Sequence, residues 1–384
     1  MNTNYASLLL VLILIFSFAG TQHAQEPANE VLQKLLKRYP DADTDKDGKL
    51  SREEGRAYRS KLTGKTDKNS DTPATVPEQK RVDPSKSGIA KKAKRSDSPS
   101  ITPDRSDVSY GSHPNNKLDL WLAKSDQPTP LIVFIHGGGF VGGDKRSASP
   151  VAIQQCLDAQ VSFASINYRF RTEASINTVL RDSARAIQFL RFKADEFHLD
   201  KTRVAAYGGS AGAGTSLWLA FRDDLANPNS DDPVLRESTR LVAAASTAGQ
   251  ATYDITRWRD VLGSDEAMQF YPQATWPAFY GLSSLDELQT DRGKQLRADV
   301  DMLALISKDD PPVWLGASDR HDALANKGDT NHSPKHSQAI QKRCHEVGVP
   351  CVLKIGSVAT GDAGRFQSPV DFLLKHVRPT AANK

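Results

Sequence analysis

The stretch AYGGSAGAG, residues 206–214, places four glycines around one serine, Ser210. An apolar run, RVAAY, precedes it and another, SLWLAF, follows it, so the serine sits where a strand turns sharply into a helix. Gly208-Gly209-Ser210-Ala211-Gly212 is a G-x-S-x-G match, in which side chains at the flanking glycine positions would collide with the neighbouring strand and helix. A serine at such a turn is a candidate nucleophile, but it needs a partner to take its proton. A glycine-rich helix start is the plainer alternative, and the surroundings decide between them.

Working outward, short apolar runs alternate with helical stretches from about Asp107. LIVFI (131–135), VSFASIN (161–167), RVAAY (203–207), LVAAAS (241–246), PVWLGAS (312–318) and CVLKI (351–355) have strand length and are mostly apolar throughout, as strands buried on both faces are. Between them, Ile176, Leu180, Ala184, Ile187, Leu190 and Ala194 recur every three or four residues, which predicts one apolar helix face. Alternating strands and helices predict an α/β fold with a mostly parallel sheet and helices on both faces.

About seventy residues before Ser210, IHGGGF follows the strand LIVFI, with His136, Gly137, Gly138 and Gly139 in sequence. Glycines there let backbone N–H groups approach the oxygen that becomes negative when an acyl carbonyl is attacked. No G-x-x-x-x-G-K-[ST] or dinucleotide fingerprint supports a phosphate-binding reading of this loop.

With both elements in place, residues 106–384 resemble the α/β-hydrolase family, in particular its hormone-sensitive-lipase-like and feruloyl-esterase-like carboxylesterase branches. The resemblance extends to SINYRF, residues 165–170. It implies Ser210 as nucleophile, with Gly138, Gly139 and Ala211 as the oxyanion hole. It also implies Asp319 as the acid, after the strand in PPVWLGASDRHD, and a histidine after the last strand. That histidine is missing. CVLKI runs into GSVATGDAGRF, and matching Phe366 to the family's phenylalanine leaves Gly364 at the histidine position. His376 lies roughly 15 Å along the final helix, too far to serve. His321 is two residues from Asp319, a poor separation for bridging Asp and Ser. His332 and His336, in DTNHSPKHSQ, lie on a segment leaving the catalytic edge of the sheet, and His332 is the chosen substitute because His336 is expected to begin a helix.

Two functions follow. One is a secreted serine esterase acting on short acyl or carbohydrate-linked esters through a Ser210 acyl-enzyme. The other is a hydrolase-fold protein that has lost catalysis and binds a ligand or polysaccharide. Aromatic residues Trp258, Phe270, Tyr271, Trp276 and Phe279, between the elbow and the acid's strand, line a pocket or fill a cap.

Outside this domain, DTDKDGKLSREE at residues 43–54 matches a twelve-residue calcium loop. Calcium takes six to eight oxygens, here from Asp43, Asp45, Asp47, the Lys49 carbonyl, Ser51 and Glu54, with Gly48 at the turn. The segment 25–62 therefore resembles an EF-hand, although it is single and has Pro40 just before the loop. Residues 1–24 carry an uncharged apolar run from Leu8, short of the roughly 20 residues of a membrane span, and read as a signal peptide, with an uncleaved N-terminal anchor as the alternative because no Lys or Arg precedes the run. This predicts a secreted, periplasmic or cell-envelope protein. Residues 63–105 read as a disordered linker. That linker holds ten Lys or Arg against six Asp or Glu, which equals the chain's whole net charge of +4. The near-neutral remainder excludes an electrostatic footprint for nucleic acid, and leaves the basic linker or calcium segment as the route to a cell-envelope partner. Cys344 and Cys351 are either a small disulfide loop or two buried thiols, and Cys156 has no evident partner.

Overall fold

The computed structural model describes residue 41, residues 43–48, residue 54, residues 101–360 and residues 364–378. The signal-peptide reading, most of the linker, and Lys49 and Ser51 of the calcium loop lie outside these. The chain divides into two units, Met1–Lys91 and Lys92–Lys384.

The larger unit is built on a nine-stranded sheet in the order β1-β2-β4-β3-β5-β6-β7-β8-β9. The strands are β1 (Arg105–Ser109), β2 (Lys117–Trp121), β3 (Thr129–Ile135), β4 (Ser162–Ile166), β5 (Leu199–Gly209), β6 (Ala243–Thr247), β7 (Val313–Ala317), β8 (Cys351–Ile355) and β9 (Val358–Thr360). From β4 to β8 the pairing is parallel. At the edges β1, β2 and β9 pair antiparallel. The six apolar runs predicted to be strands are β3 to β8. The three antiparallel strands were not anticipated: the edge strands β1 and β9 are largely or wholly exposed, while β2, paired with both β1 and β4, is buried.

Residues of the central strands alternate between two cores, as the period-two geometry of a strand requires. Leu131, Val133 and Ile135 of β3 join a cluster with Val179, Leu180 and Ile187 of helix α2 (Ile176–Phe192) and with Leu217 and Trp218 of α3 (Ala211–Phe221). Ile132, with Ala205 and Tyr207 of β5, points to the other face. There it meets Ile153 and Cys156 of α1 (Pro150–Asp158) and Val370 and Leu373 of α6 (Pro369–Val377). The sheet is therefore sandwiched between helix layers, with strand carboxyl ends gathered along one edge. The predicted apolar face of α2 is buried from Ile176 to Leu190, while Ala194 belongs to the short helix that follows.

The packed unit begins before residue 106. The Trp121 indole donates to the Ile101 carbonyl at 2.9 Å, and the Leu122 amide donates to the Asp104 carboxylate at 2.8 Å. All three cysteines are free thiols, and Cys344, together with burial, raises the pKa of its neighbour Cys351. Two further helices, α4 (Lys327–His332) and α5 (Pro334–Val347), follow β7 and shape the site.

Candidate active site

Ser210 stands between β5 and α3 with φ 54° and ψ −118°, a conformation that only surrounding packing can hold in a non-glycine residue. The glycines explain how the turn closes. A Cβ on Gly212 would sit 1.9 Å from the Ile135 carbonyl oxygen, and one on Gly208 would sit 2.4 Å from the same oxygen. Neither position admits a side chain while β3, β5 and α3 keep their spacing. Gly209, by contrast, has open space where a Cβ would go. The Ser210 amide donates to the Thr247 carbonyl at 2.9 Å, which fixes the turn to the end of β6.

The glycine loop after β3 is pinned from both sides. Gly138 has φ +110°, and a Cβ there would fall 2.1 Å from the Gly142 carbonyl oxygen; Gly139 has φ +61°. His136 is buried, its ring stacked on Tyr168 at 4.3 Å and its Nδ1 2.7 Å from the Gly137 carbonyl oxygen. The Tyr168 hydroxyl donates to the His136 carbonyl at 2.7 Å. Further along the loop, the buried Lys145 ammonium donates to both Asp119 carboxylate oxygens at 2.7 and 2.8 Å, and its amide donates to Asn167 at 2.6 Å. His136, Tyr168 and Lys145 are thus the frame of the loop, and burial holds the His136 pKa below its ordinary value. Gly139 and Ala211 line one cavity with Ser210. Ala211 opens α3, so its N–H belongs to the first turn of a helix, where amides have no intrahelical acceptor and the helix dipole favours negative charge.

His332 lies on the opposite side of the serine. Its Nε2 is 2.8 Å from Ser210 Oγ. The Gly328 backbone acts to raise the His332 pKa, and in the tautomer protonated at Nδ1 the Nε2 lone pair faces the hydroxyl. Burial, followed by the neighbouring His321 and Arg320, lowers the His332 pKa. A neutral, acceptor-ready imidazole against a serine hydroxyl is the arrangement a general base requires.

Helix α4 carries His332, and its surroundings hold it there. The Gln250 side-chain amide donates to the Asn331 carbonyl at 2.7 Å. His336, fully buried at the start of α5, accepts from the Ala251 amide at 3.3 Å through Nδ1 and donates through Nε2 to the Thr330 carbonyl at 3.0 Å. The post-β6 loop and α4 are therefore clamped together through the two residues that precede His332. Ser333 caps α5 and Asn326 caps α4, so the two helices break at a fixed point just after the histidine.

Asp319 does not meet His332. Its side chain is exposed, and its carboxylate lies against Gly356, where an added Cβ would be 2.9 Å from Oδ2. Among the described residues no hydrogen bond joins it to an imidazole. The acid near His332 is Asp329, three residues earlier on α4. It is buried, and it accepts from His321 Nδ1 at 2.8 Å, the Asn326 side-chain amide at 2.7 Å and the Ala325 amide at 3.2 Å. Its negative charge raises the His332 pKa against the other influences. The His321 and His332 rings stand 5.6 Å apart. Gly364, where the family histidine was expected, is exposed.

Two cavities meet at Ser210. One, of about 750 Å³, runs past His332, His321, Trp314 and Gly356. The other, of about 470 Å³, is bounded by Gly139, Ala211, Tyr253, Tyr271, Phe279 and Arg171. Of the five aromatic residues singled out from the sequence, Trp258, Phe270, Tyr271 and Phe279 line the second cavity, while Trp276 supports it by donating to the Tyr271 carbonyl at 2.9 Å. The sequence reading missed Arg171, Gln250, Asp329 and the clamp made by His336.

In the smaller unit, Asp43, Asp45 and Asp47 bring one carboxylate oxygen each within 4.8 Å of one another. Gly48, at φ +77°, donates its amide to Asp43 Oδ2 at 3.0 Å, and Glu54 returns to the loop's start, accepting from the Thr44 amide at 2.6 Å. Hard oxygen donors converging around a left-handed glycine fit a calcium ion.

Comparison with known proteins agrees with this architecture. A probable isoprenylcysteine alpha-carbonyl methylesterase of Arabidopsis thaliana is 30% identical over 146 residues, which is 38% of this chain and 30% of that protein. The carboxylic ester hydrolase LipN of Mycobacterium tuberculosis is 34% identical over 111 residues, 28% of this chain and 30% of its own length. The matched stretch thus spans under a third of either relative. Among solved structures, the acetyl ester-xyloside bifunctional hydrolase from Caldicellulosiruptor lactoaceticus aligns with a TM-score of 0.52 at 18% identity, covering 72% of this chain and 96% of that one. A truncated carbohydrate esterase from gut microbiota aligns with a TM-score of 0.52 at 19% identity, covering 71% and 95%. The sheet is that of an α/β-hydrolase fold. A family model matches residues 118–324, more than half of the sequence, and the chain belongs to the BD-FAE family.

Proposed function

We propose that the protein is a carboxylic ester hydrolase working through a Ser210 acyl-enzyme, and the observation that carries this is the 2.8 Å contact between Ser210 Oγ and His332 Nε2. Ser210 Oγ attacks the ester carbonyl as its proton passes to His332 Nε2. The carbonyl oxygen, now negative, is held by backbone N–H groups of Gly138, Gly139 and Ala211. Collapse breaks the bond to the alcohol oxygen, which takes the proton from His332. Water then enters, gives its proton to His332 and attacks the acyl-enzyme, and the acid product leaves as the proton returns to Ser210. The esterase names of the relatives and the family membership support the reaction class.

The substrates that fit are short acyl or carbohydrate-linked esters, since the 470 Å³ cavity has the size of a small-molecule site and aromatic walls against which an acyl chain or sugar can pack. Hydrolysis of p-nitrophenyl acetate and butyrate by the wild type, Ser210→Ala and His332→Ala tests the mechanism. Both variants are expected to lose roughly 10⁴-fold or more in kcat. A wild type no faster than Ser210→Ala supports instead a ligand-binding protein without catalysis.

We further infer that Asp43, Asp45, Asp47 and Glu54, with the Lys49 carbonyl and Ser51, hold calcium as a structural or regulatory ion, apart from the chemistry at Ser210. The apolar N-terminal run supports export to the cell envelope or beyond, where the calcium segment and basic linker are available to an envelope partner. Calorimetric titration of the full chain should show calcium binding that Asp45→Ala abolishes; no heat at millimolar calcium overturns the assignment.

A further inference from the structure

The cavity beside the oxyanion loop contains two cations and no acid. Arg171 and Lys327 are among its lining residues, and none of those residues is an Asp or Glu. Among the described residues, no carboxylate pairs with either side chain.

Arg171 is held firmly in this position. Its amide donates to the Phe140 carbonyl at 2.7 Å, which ties it to the residue following Gly139. Its guanidinium stacks over the Phe279 ring at 5.0 Å, and Lys327 Nζ stands 5.0 Å from the centroid of the Tyr271 ring. Stacking satisfies only the face of a guanidinium; its five N–H donors lie in the plane and need acceptors at the edge. The Tyr271 hydroxyl is already committed to Asn331 Oδ1. Burial lowers the Arg171 pKa, which is the mark of a cation that has lost part of its water without gaining a counter-charge.

From this geometry we infer that the ester taken by the Ser210 site carries a carboxylate, which Arg171 receives edge-on with Lys327 as a second positive charge. The inference rests on the esterase reading and narrows its substrate class. A carboxylate is favoured over other anions because two parallel oxygens match the guanidinium fork. The attacked carbonyl and the recognised carboxylate are then separate groups of one molecule, the first at the oxyanion amides and the second at Arg171.

Two matched pairs of esters test this. Mono-p-nitrophenyl succinate against p-nitrophenyl butyrate places the charge on the acyl side; 4-acetoxybenzoate against its methyl ester places it on the alcohol side. The wild type should favour the anionic member of one pair in kcat/KM by about ten- to a hundredfold, as charge-assisted hydrogen bonds do. Arg171→Gln should collapse that ratio, Arg171→Lys should keep part of it, and added salt should weaken it. A ratio that Arg171→Gln leaves unchanged, or a wild type that favours the neutral member of both pairs, overturns the inference. Calorimetry on Ser210→Ala with benzoate and benzamide separates this result from the esterase reading. If no ester is hydrolysed in a Ser210-dependent way, the esterase reading fails, and preferential benzoate binding lost in Ser210→Ala/Arg171→Gln still supports the anion site. Equal binding of benzoate and benzamide to Ser210→Ala removes it, whether or not the Arg171 variants fold.

Discussion

Asp329→Asn separates the acid the family pattern implies from the acid the structure supplies. Asp329 and His332 are three residues apart on α4, a separation that places side chains roughly 5–6 Å apart at Cβ. In the proposed attack His332 becomes an imidazolium, and at about 6 Å a carboxylate stabilises it by about 3 kcal/mol at an effective dielectric constant near 20, against about 0.7 kcal/mol in water. The site is half-buried, so the contribution falls between these limits, about 1.5–2 kcal/mol, or a ten- to thirtyfold loss in kcat/KM for Asp329→Asn. The same substitution removes a charge that raises the His332 pKa, so the acid limb of the kcat/KM profile should move to lower pH. Asp319→Asn, at an exposed side chain against Gly356, should cost about fivefold or less, as exposed charges do. Both variants are measured on p-nitrophenyl butyrate across pH 5 to 9. If Asp319→Asn loses about 10⁴-fold, as an acid bonded directly to the base would, and Asp329→Asn is unaffected, the reasoning from geometry is refuted.

Two other perturbations follow from packing. His336 is buried with its pKa pushed down to about 4 by desolvation, while in the unfolded chain it returns to about 6.5. Between these values the unfolded chain binds the proton and the folded one does not. Its contribution is therefore complete above pH 6.5 and lost as pH falls toward 4, about 2–3 kcal/mol between pH 7.5 and 4.5. Urea unfolding of wild type and His336→Asn at both pH values checks this, and an equal pH slope in the two proteins contradicts it. Gly212→Ala, whose Cβ would sit 1.9 Å from the Ile135 carbonyl oxygen, should destabilise by about 3 kcal/mol or more, whereas Gly209→Ala, facing open space, should cost under about 1 kcal/mol. Thermal melts rank them, and comparable shifts would refute the steric account of the elbow.

What could be read from the sequence was whatever depends on local spacing. The elbow, the glycine loop, the six central strands and the apolar face of α2 are each specified by residues close together in the chain. The edge strands were missed because β1 and β9 are exposed and have no apolar pattern to show. The gap at Gly364 was visible, and so was a histidine-bearing segment leaving the catalytic edge; a long connection after β7 can carry an imidazole back over the elbow. The direction of Asp319 was not visible. A position just after a strand says where a carboxylate starts but not where it goes, and here the bare Cα of Gly356 gives it a place away from His332. Arg171 was harder still, because its meaning comes from Phe140 on one side and Phe279 more than a hundred residues later.

These differences share one physical origin. Replacing the histidine of the last loop with one on α4 moves the base to a helix that must then be fixed from outside, and Gln250 and His336 do this by binding the Asn331 and Thr330 carbonyls just before His332. The helix brings its own acid, Asp329, so the carboxylate after β7 is no longer needed against the imidazole. In the family pattern, with the base on the final loop, the segment after β7 is expected to supply the acid alone. Here that segment supplies the imidazole at Ser210, the acid behind it and, through Lys327, one of the two cations of the neighbouring cavity. Changes in α4 should therefore alter base strength and substrate charge preference together, whereas changes in the loop around Gly364 should alter neither.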